Sequence, residues 1–206
     1  MTRKDDIRAR AMDDLRRHGV LMLDGHFDYG NGYHGRAYLN PHQLFRYPST
    51  IWRLAQDLLD LLPLEIASSA EIVAGPTMGG ALMAHTMAGL LDSRRSLTHP
   101  PSAFAPLVST GDGDMTLRPF YRSLMAGKRV LLADDVYNTG QTLAGCVKAV
   151  RSAGGTPIGA AVICDRMEAV RPLDVPVVAL VEYGAPENYP AAACPLCASG
   201  VPISAF

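Results

Sequence analysis

Val130-Leu-Leu-Ala-Asp-Asp-Val-Tyr-Asn-Thr-Gly-Gln-Thr142 is the stretch from which the rest of the chain can be read. An apolar run over Arg129–Ala133, suited to a buried strand, ends in two adjacent carboxylates, Asp134 and Asp135. The turn Thr139-Gly-Gln-Thr142 then opens a helix expected to run to about Ala153. Leu143, Cys146, Val147 and Val150 fall at the spacing of one helical face, and Gly154-Gly155 supplies the stop. Backbone N–H groups at a helix start attract an anion, threonine hydroxyls add donors, and Gly140 allows close backbone approach. Two acids beside an anion cradle would repel the ligand unless they serve neighbouring groups. A sugar phosphate meets that condition, with hydroxyls donating to the acids and the phosphate seated in the turn. A lone Asp-Asp pair would more simply cap a helix. Strand, acid pair, Thr-Gly-x-Thr turn and amphipathic helix arriving in one order favour the sugar-phosphate reading.

Outward from this stretch the chain alternates strand and helix patterns. Glu71–Ala74 leads through Gly75-Pro-Thr-Met-Gly-Gly80 into an apolar helix over Ala81–Leu91, and Ala103–Val108, Ile158–Cys164 and Val175–Val181 are further strand candidates. Continuous apolar runs of this kind suit parallel strands covered on both faces, so the fold class is α/β, a mostly parallel sheet flanked by helices. Ligands of such sheets sit beyond the carboxyl ends of the strands. Upstream, residues 5–18 form a weakly amphipathic helix that Gly19 ends. The Gly-, Tyr- and His-rich segment Gly25–Asn40 suits short strands and turns, and a helix opens at Pro48 and closes at Pro63, with Ile51, Leu54, Leu58, Leu61 and Leu62 on one stripe. The stretch Ser109–Gly127 has no convincing period and is expected to be a long loop, which in a compact domain is usually functional or mobile. Neither a G-x-x-x-x-G-K-[ST] nor a G-x-G-x-x-G pattern occurs.

The 206 residues are 48% hydrophobic and 19% charged with a net charge of −1, which argues against disorder and against electrostatic binding of nucleic acid or anionic membranes. No signal-peptide core and no run of about eighteen apolar residues is present, so a cytoplasmic protein is expected. Lys4, Lys128 and Lys148 are the only lysines, against sixteen arginines. Cys146 and Cys164 fall in a helix and a buried strand, which is no disulfide framework. Cys194-Pro-Leu-Cys197 has zinc-knuckle spacing but stands as a single pair, and His18, His26, His34 and His42 recur every eight residues. The preferred reading is a tail packed on the domain with scattered surface histidines, and no metal held by protein side chains.

The segment 130–142 resembles the phosphoribosyl-pyrophosphate (PRPP) motif of the type I phosphoribosyltransferases. Further matches resemble the orotate phosphoribosyltransferases: Gly25-His-Phe27 with Gly32, the Gly75–Gly80 turn, Asp165-Arg166, and Cys194-Pro-Leu-Cys-Ala-Ser-Gly-Val-Pro202. The resemblance implies one domain over residues 1–206: an N-terminal helix and hood (1–63), an α/β core (64–185) and a tail (186–206). It implies that Asp134 and Asp135 hold the ribose hydroxyls, with Asp135 central to catalysis, and that Asn138, Thr139, Gly140, Gln141 and Thr142 cradle the 5′-phosphate. Thr77, Met78 and Gly79 would meet the pyrophosphate, and Arg166 with Asn138 the acceptor base. Mg²⁺ would be held mainly by pyrophosphate, ribose and water oxygens. A homodimer is implied as well. The expected activity is transfer of a 5-phosphoribosyl group from PRPP to orotate or a related carboxylated pyrimidine. The alternatives are a different base, or a PRPP-binding protein with weak or no catalysis. Three departures stand out. Gly30 and Met78 occupy places where many members carry a cation, and Asn138 replaces a threonine. The loop, basic in the family, here holds Asp112, Asp114, Arg118 and Arg122 without Lys or His, leaving Arg118 as its candidate catalytic residue.

Overall fold

A computed structural model describes residues 2–29, 32–95, 98–111, 113–167, 173–184 and 188–205. Gly30 and Asp112 lie outside the described residues. The elements in chain order are α1 (Arg3–Arg17), β1 (Leu21–Met22), β2 (Phe27–Asp28), β3 (Tyr33–Gly35), β4 (Tyr38–Leu39), a 3-10 helix (Pro41–Arg46) and α2 (Pro48–Leu61). There follow α3 (Leu64–Ser69), β5 (Ile72–Pro76), α4 (Gly79–Ser93), β6 (Ala103–Gly111), β7 (Asp114–Thr116) and α5 (Pro119–Ser123). The remainder are β8 (Arg129–Tyr137), α6 (Gln141–Ser152), β9 (Thr156–Asp165), β10 (Val177–Glu182), β11 (Asn188–Pro190), a 3-10 turn (Ala191–Ala193) and α7 (Pro195–Ala198). No helix among the described residues is long and apolar enough to cross a membrane.

The main sheet has six strands in the order β10-β9-β8-β5-β6-β7, parallel except for β7. Strand alternation divides its apolar residues between two cores. Leu131 and Ala133 of β8 join Val73, Ala161 and Ile163 beneath α1, α2 and α4, whereas Val130 and Leu132 join Ile72, Ala74 and Val162 against Leu143, Cys146, Val147 and Val150 of α6. The helical stripes expected of α2 and α6 are therefore the buried ones. α1 starts two residues earlier than its apolar pattern suggests, because Thr2 and Asp5 form a reciprocal capping box. From β5 the chain goes to β6 on one side, and β8 lies on the other side. The strand order reverses between β5 and β8, which is where a ligand crevice opens in sheets of this type.

The N-terminal hood consists of the antiparallel pair β1–β4 and the three-stranded sheet β11-β3-β2, to which the tail contributes β11. Residues 109–127, expected as one loop, are mostly structured. β6 runs on to Gly111, β7 returns antiparallel beside it, and α5 follows. β6 pairs with β5 in the core of the sheet, but β7 is three residues long and pairs only with the exposed end of β6, so the burial pattern that betrays a strand is absent from its sequence. Leu58 is fully buried and Leu64 is 78% exposed. Leu58→Ala is expected to lower unfolding stability by about 2–5 kcal/mol, and Leu64→Ala by no more than about 0.5 kcal/mol, as read by chemical denaturation.

Candidate active site

β8 does not stop at Ala133. It continues through both acids to Tyr137, so Asp134 and Asp135 point from opposite faces at the carboxyl edge of the sheet. Asp134 is only 5% exposed. Its Oδ1 accepts the Asp135 N–H at 2.9 Å, and Asp135 Oδ1 accepts the Val136 N–H at 2.7 Å. Burial holds the Asp134 carboxyl well above the usual carboxylate range, and the charge of Asp135 pushes it the same way. Burial raises Asp135 as well, against the opposing hydrogen bonds from Val136 and Asp134 and the nearby His42 ring. Among the described residues the hydrogen bonds to these carboxylates come from the backbone of β8 and from each other.

Beyond the acids the chain turns into α6 through Gly140, whose φ of 84° is the left-handed conformation glycine adopts without strain. Gly140 is the N-cap and offers no side chain to cap the start of α6. The Gln141 N–H approaches Thr139 Oγ1 at 3.4 Å. A cleft of about 50 Å³ is wrapped by residues 136–143. Asn138 Oδ1 is buried with no hydrogen-bond partner among the described residues.

The β5–α4 turn forms the facing wall. A Cβ on Gly79 would collide with Asp135 Oδ2 and the Phe45 ring, and one on Gly80 with the Ala133 carbonyl and Pro76. These glycines let the turn press directly on β8, so Thr77, Met78 and Gly79 stand beside the acid pair. The Thr77–Met78 peptide is cis, and the Met78 side chain is 66% exposed.

A larger cavity of about 410 Å³ opens beside the cradle, lined by Tyr29, Tyr33, Tyr38, Leu39, Asn138, Thr139, Arg166 and Asn188. Arg166 follows β9 and is anchored through its N–H to the Tyr137 carbonyl at 2.9 Å. The structure thus brings Asp134, Asp135, residues 138–142, residues 77–79 and Arg166 to one edge of the sheet. The hood tyrosines, Asn188 and His42 were missed. The Gly-, Tyr- and His-rich composition of residues 25–40 indicated short strands, but only the fold decides which of their side chains face the cavity.

Arg118 is not brought to this edge. It is exposed at the start of α5, after β7, which lies three strand spacings from β8, roughly 14 Å. Arg122 donates to the Ser152 carbonyl at the far end of α6. Lys128 precedes β8 and pairs with Glu71 at 3.0 Å, and Lys148 pairs with Asp114 at 2.8 Å. A cavity of about 340 Å³ at that opposite end is lined by Glu71, Lys128 and Arg129, and its cations are already matched to Glu71.

A helix start and an acid pair thus meet at the switch point of a mostly parallel sheet covered by helices on both faces, the arrangement of an α/β protein with its crevice at the carboxyl edge. Comparison with known proteins carries this further: residues 49–189 match the family model described as the phosphoribosyl transferase domain. The chain is 32% identical over 195 residues to the orotate phosphoribosyltransferase of Desulforamulus reducens, covering 95% of this chain and 94% of that one. It is 30% identical over 193 residues to that of Thermus thermophilus, covering 94% and 97%. The fold is similar to the crystal structure of orotate phosphoribosyltransferase from Aeropyrum pernix, with TM-score 0.63 and 23% identity over 82% of this chain and 92% of that one. It is also similar to the Mycobacterium tuberculosis H37Rv orotate phosphoribosyltransferase in complex with 5-phospho-alpha-D-ribosyl 1-diphosphate, with TM-score 0.57 and 16% identity over 86% and 89%. This chain belongs to the phosphoribosyltransferase family.

The raised acid pair sets a pH signature. Above the ordinary value of 3.8 the native chain holds a proton that the unfolded chain has lost. Stability from Asp134 is therefore greatest at or below that pH and falls as pH rises through the native value. Asp134→Asn is expected to remove this slope, leaving the variant at least as stable as the parent at neutral pH. Denaturant titrations across the acid range, with the two proteins compared at each pH, read the difference.

Proposed function

We propose that this protein transfers the 5-phosphoribosyl group of PRPP to a ring nitrogen of orotate, releasing pyrophosphate. The observation that carries the reading is the junction of two cavities at Asn138 and Thr139. One is sized and lined for a phosphate, and the other is walled by tyrosines with Arg166 on its rim. Three aromatic side chains suit a flat ring, and a guanidinium suits the planar carboxylate that distinguishes orotate from uracil. The unpartnered Asn138 Oδ1 is placed to accept from a ring N–H or a ribose hydroxyl. The names of the relatives point the same way.

Asp134 and Asp135 would accept from the ribose 2′- and 3′-hydroxyls, which desolvation makes favourable for both partners. The cradle over 138–142 would fix the 5′-phosphate, holding the anomeric carbon between the acceptor nitrogen and the pyrophosphate. Catalysis then rests on alignment and on stabilising charge that builds on the leaving group. The site's own donors are hard carboxylate oxygens at the edge of a cleft. They fit a Mg²⁺ ion that would be held mainly by oxygens of the substrates and water, and Asp134 and Asp135 would hold it in the cleft. When bound, the ion neutralises part of the pyrophosphate charge. Met78 supplies no cation there, and His42 lies close enough to Asp135 to act on its charge. We further propose a homodimer, for which the exposed Trp52 of α2 and Leu82 of α4 provide apolar surface. Light scattering of the purified chain reads its mass.

Orotate-dependent loss of PRPP with Mg²⁺ is the direct test, run beside calorimetric PRPP binding. Asp135→Asn is expected to weaken PRPP binding tenfold or more. Arg166→Ala should leave PRPP binding near the parent value and raise the KM for orotate on the order of 10- to 100-fold. Saturable PRPP binding with no turnover on orotate or any other base would instead establish a PRPP-binding protein without transferase activity.

A further inference from the structure

The histidines expected at the surface do not all lie there. His26 and His34 are 2% and 7% exposed, and both face the cysteines of the tail. His26 Nε2 lies 3.2 Å from His34 Nδ1, 3.5 Å from Cys194 Sγ and 3.7 Å from Cys197 Sγ, and Cys197 Sγ lies 3.4 Å from His34 Nδ1. All four potential ligand atoms fall within 4.8 Å of one another. A tetrahedral zinc ion with Zn–N near 2.0–2.1 Å and Zn–S near 2.3 Å would hold neighbouring ligand atoms about 3.3–3.8 Å apart. The four short separations match the edges of that tetrahedron.

The outer nitrogens of the two rings decide which face of each ring is bare. His26 Nδ1 lies 2.8 Å from the Val201 carbonyl, to which it must donate, so its Nε2 carries a lone pair. His34 Nε2 faces Asp28 Oδ1 at 3.9 Å, a range bridged by one water or a small shift, and a proton on that nitrogen leaves Nδ1 bare as well. Two bare nitrogens would then oppose each other at 3.2 Å inside the protein. A divalent cation between them turns the repulsion into coordination and takes both sulfurs as thiolates. A backbone carbonyl and a carboxylate behind the ligating histidines are the usual outer partners of such a site.

We propose that His26, His34, Cys194 and Cys197 form a structural Zn²⁺ site that fastens the tail to the hood. Two thiolates and two imidazoles select a soft or borderline ion over Mg²⁺, and with all four positions taken by protein the ion is structural. The ligands join chain segments far apart in sequence. His26 directly precedes β2, His34 lies in β3, and Cys194 and Cys197 bracket the first turn of α7. The tail also pairs with this sheet through β11 and through Ser204 against Phe27. The same sheet carries Tyr33 and Asn188 to the larger cavity, so the metal braces the wall of the proposed acceptor site.

The test uses the full chain purified under reducing conditions without added metal. Elemental analysis should find about one zinc per chain. The metal-free protein should bind Co²⁺ with the intense visible bands of a tetrahedral site and thiolate-to-metal charge transfer. Cys197→Ser and His34→Ala should each lose these bands or weaken Zn²⁺ binding at least tenfold, while Cys146→Ser, in the buried core, should keep them. Because a ligand variant can simply misfold, the parent protein supplies a second readout. Zn²⁺ should slow the reaction of the exposed Cys197 thiol with a thiol reagent and reduce hydrogen exchange over residues 188–205. The proposal is overturned if the reduced parent binds neither Zn²⁺ nor Co²⁺ at micromolar concentrations. It is equally overturned if Cys194 and Cys197 prove to be a disulfide, or if both ligand variants keep the parent spectrum. Metal binding is read without turnover, so failure of orotate transfer with zinc in place counts against the proposed function alone.

Discussion

Two adjacent carboxylates, one buried and one half-buried, at the carboxyl edge of a parallel sheet are the constraint around which the rest of this molecule is arranged. Asp134 and Asp135 are placed there because β8 is apolar up to Ala133 and pairs with β5 on one side and β9 on the other. The β5–α4 turn then closes on them, and it can do so only because Gly79 and Gly80 carry no side chain. Burial raises both acids, and the start of α6 opens beside them. The proposed ligand, rich in hydroxyls and carrying a phosphate, would offer a group to each. Site and fold therefore share one cause, the reversal of strand order between β5 and β8.

The distribution of cations follows from the same architecture. Apart from the acid pair, several acids are matched to arginines or lysines. Asp14 pairs with Arg53 and Asp57 with Arg10, and Glu71 and Asp114 take Lys128 and Lys148. The scarcity of lysine is thus sharpened by structure, since two of the three lysines are engaged at places remote from the cradle or on its outer flank. Arg166 instead lines the larger cavity, and His42 lies near Asp135. The β6–β7 hairpin, which replaces the expected loop, lies against α6, where Gly113 and Gly145 permit backbone contact.

Much of this was legible in the linear chain. The string 130–142 combines a strand, two acids, a Thr-Gly-x-Thr turn and an amphipathic helix, each readable from local rules of periodicity and helix-start chemistry. The stripe of α2 and the apolar runs of β9 and β10 were equally plain, because burial on a helix face or inside a sheet imposes a regular pattern on neighbouring residues. The return strand β7 was not, since it is half exposed and three residues long. Nor were the buried places of His26 and His34, whose spacing fits no regular element.

The sequence by itself determined the α/β class, the acid pair and the Thr-Gly-x-Thr turn that opens α6, because these depend on residues adjacent in the chain. Tertiary structure alone decided which distant residues meet them. It set the β5–α4 turn against β8, brought hood tyrosines and Asn188 to Arg166, and carried Arg118 away to the far edge. It also laid Cys194 and Cys197 on His26 and His34, more than 160 positions away in sequence. Such pairings arise from strand order and from the antiparallel return of the tail onto the hood. Neither leaves a periodic trace, because a contact across the fold constrains single residues and not a run of them.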